Sequence, residues 1–301
     1  MQRIVPHLWF DTQAEEAAKF YASVFPNSAV ESVVTLHDTP GGDSVAVSFN
    51  VNGYRFQAIS AGPLFTINPS ISFMINFDPS KLEDAEQNLR YAWANLSGDG
   101  EVLMPLDSYP FSPLYGWTQD RYGVSWQLML SDPGGDDRPF ITPALMFVGD
   151  LTGKAEEATD FYLSVFEGAQ RGVISRYGAG QGPDEEGTVN YTDFTLEGQW
   201  FAAMDSALEH QFSFNEAVSL LVNCDSQDEI DRYWEKLSAV PEAEQCGWLK
   251  DKYGVSWQIT PSAMDEMLVH GTPEQVDRVT QAFLPMKKLD VKALEDAYQG
   301  R

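Results

Sequence analysis

The apolar run from Ile4 to Phe10 predicts a strand, and the next segment changes period. From Ala14 to Phe25 the residues Ala17, Phe20, Tyr21, Val24 and Phe25 fall on one helical face, and Pro26-Asn27 ends the helix. Val30–Leu36, Val45–Val51 and Tyr54–Ser60 read as strands, separated by Pro40-Gly41-Gly42 and by the hairpin signal Asn52-Gly53. Ile71–Phe77 opens a second unit, with a helix over Lys81–Leu96 and a last strand over Val124–Leu130. The pattern is strand, helix, three strands, and then the same again.

The whole pattern then repeats. Ala14-Glu15-Glu16-Ala17 returns as Ala155-Glu156-Glu157-Ala158, and Phe20-Tyr21 returns as Phe161-Tyr162. The stretch GWTQDRYGVSWQL at residues 116–128 returns as GWLKDKYGVSWQI at 247–259, with nine of 13 positions identical. Matches in the same order at both ends make this a tandem duplication. The chain therefore reads as two halves, 1–133 and 139–263, joined by the loop-forming run 131–137, with a helical tail over 264–301. The fold class is α+β, with four βαβββ modules. In the tail, Thr272-Pro273 reads as an N-cap and first helical position, for a helix to about Leu284. Asp290 caps a shorter helix to about Tyr298, and the tail is expected to pack as an arm on a domain or a partner.

Composition narrows the function classes. The 301 residues carry a net charge of −26, and both halves are acidic, so nucleic acid is not an expected partner. The sequence has no run of apolar residues long enough to span a membrane, and Met1 to His7 enters a strand at once, so neither a membrane partner nor a signal peptide is expected. Two cysteines, Cys224 and Cys246, do not make a disulfide framework, which points to a reduced, cytoplasmic protein.

The duplicated modules, the strand Ile4–Phe10, the AEEAxxFY helix and the endings DRYGVSWQ and DKYGVSWQ together resemble the PhnB-like branch of the glyoxalase/bleomycin-resistance/dioxygenase (vicinal oxygen chelate) superfamily. Many relatives there carry the name 3-demethylubiquinone-9 3-methyltransferase. The resemblance covers residues 1–261. It implies that paired modules curl into a cup, and that enzymes of the superfamily hold a divalent metal there on His and Glu side chains. It also implies dimers that pair their modules, so that two fused copies would form an intramolecular pseudo-dimer, with a homodimer left open. Carried onto this sequence, the ligand positions fall on His7, Gln57, Ser72 and Gln127 in the first half and on Ala144, Ala202, Ser219 and Gln258 in the second. The second set holds no imidazole or carboxylate and the first only His7, so no metal and no cofactor is expected.

Strand alternation places Val5 and Trp9 on the same face as His7, Ser125 with Gln127, and Ser256 with Gln258, leaving Trp126 and Trp257 for the core. The expected site is a cup in the first half lined by His7, Trp9, Gln57, Ser72 and Gln127, with Trp117 and Trp248 as loop residues that cover a pocket or cap a domain edge. Asp120 and Asp251 read as turn formers. Arg55 and Lys250 read as surface ion pairs or anion ligands, and Cys246 has no visible histidine to make it a nucleophile. The glycine-rich stretch 177–183 precedes acidic residues, not a helix, so it does not read as an S-adenosylmethionine site. Three readings of function remain. The favoured one is a small-molecule binder. The second is an enzyme acting through His7, with or without metal (a lyase, isomerase or dioxygenase, or a methyltransferase by family name only). The third is an acidic interaction scaffold.

Overall fold

The computed structural model describes residues 2–132, 134 and 137–301, so the predicted 131–137 linker lies partly outside the described residues. The first half contains β1 (Ile4–Phe10), α1 (Ala14–Val24), β2 (Ala29–Thr39), β3 (Gly42–Val51) and β4 (Tyr54–Ser60). Its second module is β5 (Ile71–Phe77), α2 (Ala85–Ser97), β6 (Glu101–Tyr109), β7 (Ser112–Gln119) and β8 (Ser125–Leu130). The second half follows with β9 (Ile141–Phe147), α3 (Ala155–Val165), β10 (Gln170–Arg176), β11 (Val189–Leu196) and β12 (Gln199–Asp205). It ends with β13 (Val218–Cys224), α4 (Gln227–Leu237), β14 (Trp248–Lys250) and β15 (Ser256–Pro261). The tail forms α5 (Ser262–His270), α6 (Pro273–Phe283) and α7 (Val291–Gln299).

Helix α2 begins at Ala85 and not at Lys81, because Asp84 is left-handed (φ 54°), a backbone shape that cannot propagate a helix. The fourth module has one strand fewer than expected. Pro241 starts a single tight helical turn where the missing strand would run, and β14 is only three residues long. The tail supplies its neighbour instead. The Cys246 and Gly247 N–H groups donate to the carbonyls of Met286 and Lys287, both at 2.7 Å. Helix α5 has no counterpart in the sequence reading, whereas the Thr272 cap closes a complete capping box at α6 and Asp290 caps α7.

The modules do not pair within their own half. Strand β1 runs antiparallel to β13, and β5 runs antiparallel to β9. One sheet of seven strands, ordered β14-β15-β13-β1-β4-β3-β2, thus joins the first and fourth modules. The other, of eight strands ordered β10-β11-β12-β9-β5-β8-β7-β6, joins the second and third. The two halves form an intramolecular pseudo-dimer with exchanged modules, so no half owns a sheet.

The sheets turn one face each toward a shared core, which contains Ile4, Leu8 and Phe10 of β1 and Leu220 and Val222 of β13. Phe56 of the seven-stranded sheet meets Phe73 of the eight-stranded one at 5.0 Å between ring centres, and Trp126 lies between Tyr21 and Phe73. Trp126 and Trp257 are fully buried, as alternation predicts.

A buried carboxylate in each half joins the two modules. Asp120 accepts the Tyr21 hydroxyl and the Trp126 indole N–H, both at 2.8 Å, and the backbone N–H groups of Tyr122 and Val124 at 2.8 and 3.0 Å. Asp251 repeats this with Tyr162, Trp257, Tyr253 and Val255 at 2.8, 2.9, 2.8 and 3.1 Å. Gly123 and Gly254, at φ +89° and +82°, turn the chain so that these amides converge. Burial pushes the Asp120 carboxyl up to about 6, against the four hydrogen bonds that favour the anion. Removing either carboxylate strands two buried side-chain donors and two amides. Asp120→Ala and Asp251→Ala are each expected to lose about 3 kcal/mol or more of stability in urea unfolding, against under about 1 kcal/mol if these residues were mere turn formers.

Candidate functional site

The faces turned away from the core carry the positions that the resemblance marks as ligand positions, and the exchanged pairing regroups them. On the seven-stranded sheet the strand register sets Gln57, His7, Ser219 and Ser256 side by side in one row. On the eight-stranded sheet the matching row is Ala202, Ala144, Ser72 and Ser125. The expected first-half cup of His7, Trp9, Gln57, Ser72 and Gln127 is therefore corrected. His7, Trp9 and Gln57 share a site with Ser219, Gln258 and Trp248, while Ser72, Gln127 and Trp117 belong to its twin with Ala144 and Ala202. The reason is the β1–β13 and β5–β9 pairing, which completes each cup from both halves.

The two sites keep the same frame. Gln258 Nε2 donates to Ser219 Oγ at 2.9 Å, and Gln127 Nε2 to Ser72 Oγ at 2.8 Å. Trp248 sits across from Gln258 as Trp117 sits across from Gln127. Beyond this frame they diverge. In the twin site the Tyr115 hydroxyl donates to Gln127 Oε1 at 2.7 Å, and the Trp117 indole donates to Ser125 Oγ at 2.8 Å. Its floor is an apolar cluster of Met74, Ala144 and Ala202 packed by Met129, Tyr191 and Met204. The polar groups of the twin's frame are thus paired among themselves.

In the His7 site they are not. His7 Nδ1 and Ser256 Oγ are buried without a hydrogen-bond partner. His7 is 7% exposed, and burial lowers its imidazole to about 3, so the ring is neutral near pH 7. Trp248 stands edge-on to His7 at 5.4 Å and to Trp9 at 6.2 Å, and Trp9 meets Phe65 at 5.1 Å. The Trp9 indole is fixed by its bond to the Gly62 carbonyl at 2.7 Å. The result is an aromatic wall over a row of neutral polar groups.

The tail closes the other side of this cup. Val276, Val279 and Phe283 of α6 pack with Leu36 of β2, Ala46 of β3 and Ile59 of β4, so the tail is an arm on its own chain. From α5, Asp265 reaches Arg55 at 2.5 Å and accepts from Gln57 Nε2 at 3.3 Å. Beside this contact a cavity of about 300 Å³ opens between α5 and the sheet, with Glu31, Asn223 and His270 also in its lining. Phe65 and Asp265 escape sequence reading, since neither lies on a repeated motif and α5 itself was not expected.

The remaining candidates find structural partners. Arg55 pairs with Asp265 and Glu31, and Lys250 with Glu216 at 2.8 Å. The Cys246 thiol donates to the Leu284 carbonyl at 3.3 Å, and burial raises it. Stretch 177–183 leads through turns into β11, with no helix after it. Among the described residues, no group of three His, Cys, Asp or Glu side chains could hold a metal ion. The four positions of the His7 site that the resemblance marks, Gln57, His7, Ser219 and Gln258, offer one imidazole, two amides and a hydroxyl. No helix among the described residues is long and apolar enough to cross a membrane.

Comparisons with known proteins give the family and the fold. A PhnB protein of Bacillus cereus, described as a putative 3-demethylubiquinone-9 3-methyltransferase, is 37% identical over 43% of this chain and 100% of its own, with a TM-score of 0.38. Glyoxalase I of Zea mays is 12% identical over 89% of this chain and 98% of its own, at a TM-score of 0.52, a likeness of fold. No curated protein matches the chain. The family model described as 3-demethylubiquinone-9 3-methyltransferase matches residues 2–129 and again 139–260, so the chain belongs to this PhnB-like family of the glyoxalase fold, in two tandem copies.

Proposed function

We propose that the protein binds a small, uncharged molecule in the cup of the seven-stranded sheet, without a divalent metal. The observation that carries this reading is the pair of buried, unpartnered atoms, His7 Nδ1 and Ser256 Oγ, in a site whose twin has Ala144 in place of the first and pairs Ser125, the match of the second, with Trp117. A buried polar atom without a partner costs free energy, and a ligand that offers a donor and an acceptor to this row removes that cost. The row itself is neutral, and the ion pair at its edge, Arg55 with Asp265, is already matched, so a charged ligand would lose its hydration there without a free counter-charge.

The donor set also speaks against a metal, since one imidazole and three neutral groups leave a divalent cation's charge unbalanced. It favours binding over catalysis. An imidazole lowered to about 3 is a poor base near neutral pH, far from the value at which proton transfer is efficient. Nothing in the residues supports methyl transfer, which enters only through the family's name.

A thermal-shift screen of small neutral compounds checks the assignment. Stabilising compounds are expected, and their effect should vanish in His7→Leu and survive in Ser72→Ala; the opposite pattern would move the site to the twin cup.

The state of His7 has its own test. Its folded value lies below the unfolded one, so its contribution to stability is present above about pH 6.5 and is lost as pH falls toward about 3. Between pH 7 and pH 5 the wild type should lose about 2 kcal/mol more than His7→Leu in urea unfolding. Equal losses would mean that His7 is not held neutral.

A further inference from the structure

We infer that Trp248 is a gate that stands in for the ligand: the cup takes a planar aromatic ring, which displaces the Trp248 indole from His7 and sends its N–H to Ser256. This rests on the His7 cup being the binding site. The chain itself displays both positions of the gate. Trp117 and Trp248 occupy the same place in the two copies, each following a glycine and each across from the glutamine of the last strand. Trp117 lies with its N–H on Ser125, at 2.8 Å. Trp248 has left the corresponding bond unmade. Its ring stands against His7 and Trp9, and Ser256 Oγ is buried and unpartnered.

The two positions compensate each other. In the first, the indole gains one hydrogen bond; in the second, it gains two edge-to-face ring contacts. These are interactions of comparable size, so neither position holds by a wide margin. The residue facing the gate decides which is taken. The twin has Ala144 where this site has His7, and its tryptophan bonds serine. Here His7 and Trp9 supply that ring surface. A planar aromatic guest that takes over the contacts with His7 and Trp9 frees Trp248 to pair with Ser256, which satisfies an atom otherwise buried alone. A polar edge on the guest could then reach His7 Nδ1. The expected ligand class is therefore a neutral aromatic or heteroaromatic ring.

Indole itself serves as the probe, on the full chain labelled with 5-fluorotryptophan and followed by fluorine NMR, with the Trp248 resonance assigned through Trp248→Phe. Indole should shift the Trp248 signal and leave that of Trp117 in place. Trp248→Ala, which no longer has a ring to displace, should bind indole several-fold more tightly than the wild type, and Ser256→Ala should bind it several-fold more weakly. Ser256→Ala should hold or raise the melting temperature while Ser125→Ala lowers it, because only the Ser125 hydroxyl is engaged at rest and the Ser256 hydroxyl is buried alone. If indole binds in a manner lost in His7→Leu, yet wild type and Trp248→Ala bind it equally, the gate is overturned and the cup remains the site. If even Trp248→Ala binds no indole, or His7→Leu leaves binding unchanged, the assignment of the cup falls and the gate with it.

Discussion

A buried carboxylate that accepts four hydrogen bonds holds each half of this molecule together. Asp120 receives Tyr21 from the helix of one module and Trp126 from the last strand of the next, and Asp251 does the same with Tyr162 and Trp257. Those modules lie in different sheets. The clamp therefore fixes the two sheets against each other across the core, and it explains why the motifs FY and D-x-Y-G-V-S-W recur together although about a hundred residues separate them. A charge buried this deeply is tolerable only when its acceptor capacity is filled, which leaves little freedom at any of the contributing positions.

With the sheets held back to back, their other faces become two cups built to one plan. Exchange of modules gives each cup strands from both halves, so each could diverge through residues of either copy. One has closed its polar groups on themselves and paved its floor with methionine and alanine. The other has kept an imidazole, two amides and two hydroxyls in a buried, aromatic-walled place. The tail packs on the second cup alone, filling the side over β2, β3 and β4 and completing the shortened fourth module. A cover built from the chain's own end, with Asp265 reaching Gln57, is consistent with a site that is kept and shielded.

Much of this was legible in the sequence. Tandem motifs gave the modules, strand alternation put Trp126 and Trp257 in the core and Gln127 and Gln258 on the opposite faces, and Thr272 and Asp290 marked two tail helices. His7 against Ala144 and Gln57 against Ala202 marked the asymmetry of the cups. What could not be read was the pairing of β1 with β13 and of β5 with β9. These are central strands with apolar residues on both faces, so their pattern does not name a neighbour, and local order in the chain suggested the wrong partner. Local order groups Ser72 and Gln127 with His7 for that reason. Helix α5 escaped because its apolar residues, Met264, Met267 and Leu268, span little more than one turn of a nine-residue helix and are only partly buried, and the shortened fourth module was hidden by the intact motif at its end.

The central claim is that two cups of one design carry one working site. Calorimetric titration of the intact chain with a neutral aromatic ligand measures this directly. One molecule bound per chain, with binding abolished in His7→Leu, is the result expected. Two molecules per chain, or a single one that survives His7→Leu, would contradict it.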